Sequence, residues 1–181
     1  MKKLIIISLL LSFSLNVLSQ NNNLYSFQVK DINGEIFDLK TLKGKKVIIV
    51  NTASKCMYAP QLKTLQKLYK KYKKDGVEII AFPCNDFYKR EPGTNIEISE
   101  VYKKKYKITF PVMSKTHVKG DNIHPVYRFL TQKDRNGFDD TQVSWNFQKY
   151  LINRNGKIEK IIKPKTKPMS KEIINWIENN N

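Results

Sequence analysis

Cys56 stands where an apolar run gives way to a lysine-rich amphipathic one, in Val47-Ile48-Ile49-Val50-Asn51-Thr52-Ala53-Ser54-Lys55-Cys56-Met57-Tyr58-Ala59-Pro60-Gln61. A thiol at a strand-to-helix junction is a candidate nucleophile. The unpaired N–H groups and positive dipole end of a helix N-terminus favour thiolate over thiol, and Lys55 adds a cation beside it. A free cysteine is also one of the most commonly buried residues, packing as a small hydrophobe. The segment alone leaves both readings open. The second cysteine, Cys84, ends its own apolar run in Phe82-Pro83-Cys84-Asn85. No CxxC pair exists, which argues against a dithiol exchange enzyme. His117 and His124 do not share metal-ligand spacing with the cysteines, so no metal and no cofactor is expected.

The elements that must position Cys56 can be read from periodicity. Residues 47–52 form an apolar strand. In 60–74, Leu62, Leu65, Leu68, Tyr69 and Tyr72 share one helical face while the lysines occupy the other. Asp75-Gly76 ends that helix and 77–82 form a second apolar strand. A strand, helix, strand unit makes parallel neighbours, and ligands gather at the C-terminal strand ends, where both Cys56 and the 83–86 segment fall.

Upstream, 26–31 and 35–39 flank Asn33-Gly34 as a hairpin. Downstream come a polar loop at 85–95 carrying Pro92-Gly93, a helix at about 96–106, a strand-like 109–113 and a short helix from His124 to Leu130. Segments 144–152 and 157–162 flank Asn153-Arg154-Asn155-Gly156 as a second hairpin, and Ser170 caps a last helix bearing Ile173, Ile174 and Ile177. The pattern is α/β, with a central mixed sheet flanked by helices.

Met1-Lys2-Lys3 followed by an apolar run to Leu15 reads as an export signal cleaved after Ser19. A membrane anchor is the competing reading, but spanning takes roughly 20 apolar residues, and Asn16 with Gln20-Asn21-Asn22-Asn23 cuts the run short. One domain at 20–181, in a periplasmic or secreted location, is the expectation. The formal charge of +17 falls to +15 once Lys2 and Lys3 are removed. So basic a chain favours anionic partners. The lysines are mostly a solvated helix face, however, and no nucleic-acid motif accompanies them.

Five segments in order resemble the glutathione peroxidases: Asn51-Thr52-Ala53-Ser54-Lys55-Cys56 with Pro60-Gln61, Phe82-Pro83-Cys84-Asn85 with Glu91-Pro92-Gly93, Thr109-Phe110-Pro111-Val112, His124-Pro125-Val126-Tyr127, and Trp145-Asn146-Phe147. The resemblance implies a thioredoxin-like fold and a peroxidase whose thiolate is oxidised by peroxide to a sulfenic acid. It implies Cys56 as the peroxidatic residue, with Trp145 and Asn146 as further members of the catalytic tetrad. An indole N–H and an amide can hydrogen-bond a thiolate and stabilise the departing hydroxide or alkoxide.

Three departures stand out. Arg90 occupies the place of the tetrad glutamine; a fixed cation that donates but cannot accept either tunes the thiol or leaves the site incomplete. Met57-Tyr58-Ala59 replaces a stretch that usually begins with glycine. Lys103 stands where thioredoxin-dependent members carry a resolving cysteine, so the resemblance implies an external reductant, glutathione or a thioredoxin-like protein.

Hydrogen peroxide and organic or lipid hydroperoxides both remain open as substrates, with an anionic lipid surface as a further partner. The short stretch from Gln132 to Ser144 resembles the monomeric branch. Two alternatives stand beside the peroxidase: a peroxide-sensing or catalytically impaired relative, because of Arg90, and a basic domain that binds anionic lipid or polymer.

Overall fold

The structure is a computed structural model and describes residues 23–179. The expected signal segment at 1–19 and the start of the domain at 20 lie outside the described residues. Gln28–Lys30 (β1) and Ile36–Asp38 (β2) pair antiparallel as the N-terminal hairpin, with Gly34 at φ +91° in its turn. Lys46–Thr52 (β3), Gln61–Tyr72 (α1) and Val77–Pro83 (β4) form the strand, helix, strand unit, and β3 and β4 pair in parallel. Asn95–Tyr106 (α2), Pro125–Thr131 (α3) and Lys133–Asn136 (α4) follow. Lys149–Ile152 (β5), Ile158–Ile162 (β6) and Lys171–Glu178 (α5) complete the fold. The sheet order is β4-β3-β5-β6, mixed as expected.

β3 and β4 read as unbroken apolar runs because both faces of the sheet are covered. Ile48 and Val50 face Leu62, Leu65 and Leu68 of α1 and Ile173 and Ile177 of α5. Val47 and Ile49 face the opposite core, with Tyr127, Phe129 and Leu130 of α3. Truncating a fully buried leucine such as Leu65 to alanine costs about 2–5 kcal/mol.

The helix ends follow local chemistry. Thr94 and Glu97 form a reciprocal capping box at the start of α2, and Ser170 caps α5. α1 runs into a 3-10 turn at Lys73–Asp75 and is stopped by Gly76 at φ +79°. At its far end α5 is held by the buried Lys46, whose Nζ donates to the carbonyls of Trp176 (2.6 Å), Ile177 (3.2 Å) and Asn179.

Three segments differ from the sequence expectation. Residues 109–113 make only isolated bridges, Ala81 with Val112 and Asp31 with Met113. Pro111 has no N–H to donate, which interrupts a ladder there. Residues 144–148 stay outside β5, because Asn51 draws 145–147 into a turn with Phe147 at φ +72°. α4 carries no periodic signal, being one short turn closed by Gly137 at φ +65°.

Candidate active site

Beyond Thr52 the chain enters successive turns. Cys56 N–H donates to Ala53 O (3.3 Å), Cys56 O accepts from Ala59 N–H (2.9 Å), and Tyr58 O accepts from Gln61 N–H (2.9 Å). The helix cap is Pro60. Cys56 therefore precedes the helix by a full turn, whereas the sequence reading set it at the helix end. The donor that reaches its sulfur is the Tyr58 N–H, 3.4 Å from Sγ. Cys56 is 6 % exposed and Met57 beside it is 78 % exposed.

This loop is fastened from below by Glu91. Its carboxylate is 1 % exposed. It accepts from Ser54 N–H at 2.7 Å, Ser54 Oγ at 2.6 Å and Tyr102 Oη at 2.9 Å. Lys55 N–H donates to Arg90 O (3.1 Å), and Glu91 N–H donates to Asn85 Oδ1 (2.8 Å). The thiol loop, the 85–93 loop and α2 are thereby tied at one carboxylate. Such a group is costly to bury unless its acceptor sites are met.

Trp145 lies between Phe87 and Tyr88, with ring centroids 5.4 Å from each. Its indole lines a groove of about 540 Å³ with Met57, Tyr58, Ser144, Lys163, Pro164 and Lys165. The two residues after Cys56 and the indole thus share one groove. The Nε1–H of Trp145 makes no hydrogen bond among the described residues.

Its backbone is set by Asn51, whose Nδ2 donates to Trp145 O (3.1 Å) and whose carbonyl accepts from Phe147 N–H (2.7 Å). Asn146 is fully buried; its Oδ1 faces Cys84 Sγ at 3.7 Å, and its Nδ2 has no partner among the described residues. Arg90 meets the cluster only through its backbone. Its guanidinium is exposed, with no hydrogen bond or ion pair among the described residues.

Cys84 is fully buried, and burial pushes its thiol pKa up to about 12. It belongs to the α3-side core, whereas Cys56 belongs to the α1-side core. His124 caps α3 by accepting from Val126 N–H (3.2 Å), and His117 pairs with Asp86 at 2.7 Å. Among the described residues no cluster of three or more His, Cys, Asp or Glu is placed to hold a metal.

The glutathione peroxidase family model matches residues 24–131, spanning Cys56, Cys84 and the Glu91-Pro92-Gly93 turn. The chain belongs to the glutathione peroxidase family. A glutathione peroxidase-like peroxiredoxin of Schizosaccharomyces pombe is 47 % identical over 138 residues, covering 76 % of this chain and 86 % of that one. The apo crystal structure of Trgpx superposes with a TM-score of 0.66 at 36 % identity, over 87 % of this chain and 96 % of that one. A thioredoxin family protein of Chlorobium tepidum has a TM-score of 0.61 at 20 % identity, over 83 % of this chain and 92 % of that one, which establishes the thioredoxin-like fold.

Membership makes this protein a thiol-dependent peroxidase. Within the glutathione peroxidase framework, Asn51, Ser54, Glu91 and Lys149 hold the site together without having been singled out by sequence reasoning. Asn51, Ser54 and Glu91 stood inside the motif segments without a role of their own, and Lys149 carried a signal of its own, a cation at the head of the apolar Tyr150-Leu151-Ile152.

Proposed function

We propose that Cys56 is the peroxidatic residue. Its thiolate attacks the terminal oxygen of a hydroperoxide and the O–O bond breaks. Cys56 becomes a sulfenic acid, and the departing alkoxide or hydroxide takes a proton to leave as alcohol or water. One external thiol then condenses with the sulfenic acid, releasing water. A second thiol attacks the sulfur of the first and displaces the Cys56 thiolate, which yields the donor's disulfide and regenerates Cys56.

The observation that carries the reading is the shared groove: Met57 and Tyr58 beside the thiol and the Trp145 indole line one recess. Trp145 Nε1–H is unpartnered among the described residues, which supports it as a donor to the thiolate and to the leaving oxygen, whereas the Asn146 amide is fully buried against Cys84 and its unpartnered Nδ2 supports the donor role only by its place next to Trp145. Arg90 adds an exposed cation on the adjoining loop, a tuning charge in place of a fixed amide.

An external reductant is supported by Cys84, which is fully buried, held as a thiol, and packed in the core on the other side of the sheet. Lys163 and Lys165 flank the groove and suit an anionic thiol such as glutathione, the acidic face of a thioredoxin-like protein, or an anionic lipid surface bearing a lipid hydroperoxide. The chemistry calls on no metal or cofactor. We assign the chain to an exported compartment, periplasmic or secreted, as a monomer, on the basic, apolar start at Met1 to Leu15 and the short 132–144 stretch.

The test is peroxide consumption with glutathione or thioredoxin as donor, in the natural protein and in Cys56→Ser. Turnover that vanishes on substitution supports the assignment. Turnover retained by Cys56→Ser overturns it.

A further inference from the structure

Lys149 is 0 % exposed, yet it carries an amine into the same core as Cys56. It stands in β5 between Val50 of β3 and Ile162 of β6, both members of the α1-side core. Its Nζ donates to Phe147 O at 2.8 Å, Thr166 O at 2.8 Å and Pro164 O at 3.4 Å. Pro164 O also accepts from Gln61 Nε2 of α1 at 2.8 Å. The first of these carbonyls belongs to the residue after Asn146. The other two belong to the 163–166 strap, whose Lys163, Pro164 and Lys165 line the groove together with Met57, Tyr58 and Trp145.

We propose that Lys149 is a positioning residue for the peroxide reaction: one buried ammonium pins the Trp145-Asn146-Phe147 turn to the 163–166 strap, fixing two walls of the groove together. The inference rests on the assignment of peroxide chemistry to Cys56.

The chemistry of the amine makes the clamp conditional. An ammonium has three protons for three carbonyls, whereas a neutral amine has two, and its hydrogen bonds lose their charge assistance. Burial alone pulls the Lys149 pKa down to about 7. No carboxylate offsets it. β3 presents Val50, β6 presents Ile162, α1 presents the neutral Gln61, and the strap's Lys163 and Lys165 are exposed cations. Among the described residues Lys149 makes no ion pair, so three backbone dipoles alone face its charge.

The experiment compares the rate of Cys56 oxidation by hydrogen peroxide with its rate of alkylation by iodoacetamide, in the natural protein and in Lys149→Met. Alkylation needs the thiolate but no donor to a departing oxygen, so loss of positioning separates the two rates. The expected result is a roughly tenfold slower peroxide reaction, with alkylation within about twofold of the natural protein. Unchanged peroxide kinetics, or an equal fall in both rates, overturns the proposal. If Cys56 of the natural protein fails to react with peroxide at all, the assignment of Cys56 falls instead.

A second measurement does not depend on folding of the variant. In Cys56→Ser protein, the Trp145 indole and Phe147 amide proton resonances are expected to shift with pH at the midpoint of the Lys149 side-chain signal. Failure of those two resonances to move with Lys149 between about pH 6 and 9 also overturns the clamp.

Discussion

Cys56 and Cys84 follow two strands that pair side by side, with Thr52 opposite Pro83, yet the two thiols pack into cores on opposite faces of the sheet. A bond between them would join side chains packed in two different cores, and disulfide geometry does not tolerate Cα separations beyond about 7 Å without backbone movement. The sheet therefore separates the proposed peroxidatic thiol from one that burial holds protonated. Cys84→Ser is expected to keep turnover with an external thiol within about twofold, and mass spectrometry of the peroxide-treated natural protein is expected to find no Cys56–Cys84 disulfide.

Glu91 is the fastening point of the thiol loop, through Ser54 N–H, Ser54 Oγ and Tyr102 Oη. Glu91→Gln keeps the shape but removes the charge and turns the oxygen that accepts from Ser54 Oγ into a donor. A stability loss of about 1–3 kcal/mol is expected, read as a melting point lower by roughly 3–10 °C. Peroxide reactivity of Cys56 should fall with it, since Ser54 lies two residues before the sulfur.

Trp145 combines packing with an N–H that has no partner among the described residues. Trp145→Phe preserves an aromatic ring between Phe87 and Tyr88 while deleting the donor. Loss of one donor to a developing oxyanion costs about 100-fold or more in rate. The peroxide rate is expected to fall by about that factor while the melting temperature moves by only a few degrees, measured by stopped-flow oxidation and calorimetry.

Lys149 also sets a pH dependence of stability. Its folded pKa lies near 7, below the ordinary lysine value of 10.5, so between those values the unfolded chain holds more protons than the folded one. Its contribution to stability therefore rises with pH across that window and is least favourable below pH 7. Cys84 acts in the opposite sense above its ordinary value of 9.0, because its folded pKa is raised. The clean window is about pH 7 to 8.5. There, urea midpoints of the natural protein should rise relative to those of Lys149→Met.

The elements were legible because their signals are local. The apolar runs at 47–52 and 77–82, the lysine-striped helix after Pro60, and Asn-Gly or Asp-Gly turns each specify their own segment. The site was legible only in part. Cys56 and Trp145 are separated by 89 positions in the chain, and their sharing of a groove follows from the β3–β5 pairing, which no window of sequence contains. Glu91 was legible as part of the Glu91-Pro92-Gly93 motif but not as a fastening point, since the burial that gives it that role depends on Ser54 and Tyr102 arriving from two other segments. The helix start at residue 60 was legible, but its N-terminal N–H groups were credited to Cys56, which the turns through Ala59 and Pro60 set a full turn earlier. Arg90 joins the loop by its carbonyl, and a backbone contact leaves no trace in residue type.

The most direct measurement of the central claim is chemical trapping of sulfenic acid after one equivalent of peroxide, mapped by mass spectrometry. The account requires the adduct on Cys56, close to one per chain, with Cys84 unmodified. Oxidation confined to Cys84 or to the exposed Met57, with Cys56 untouched, would contradict it.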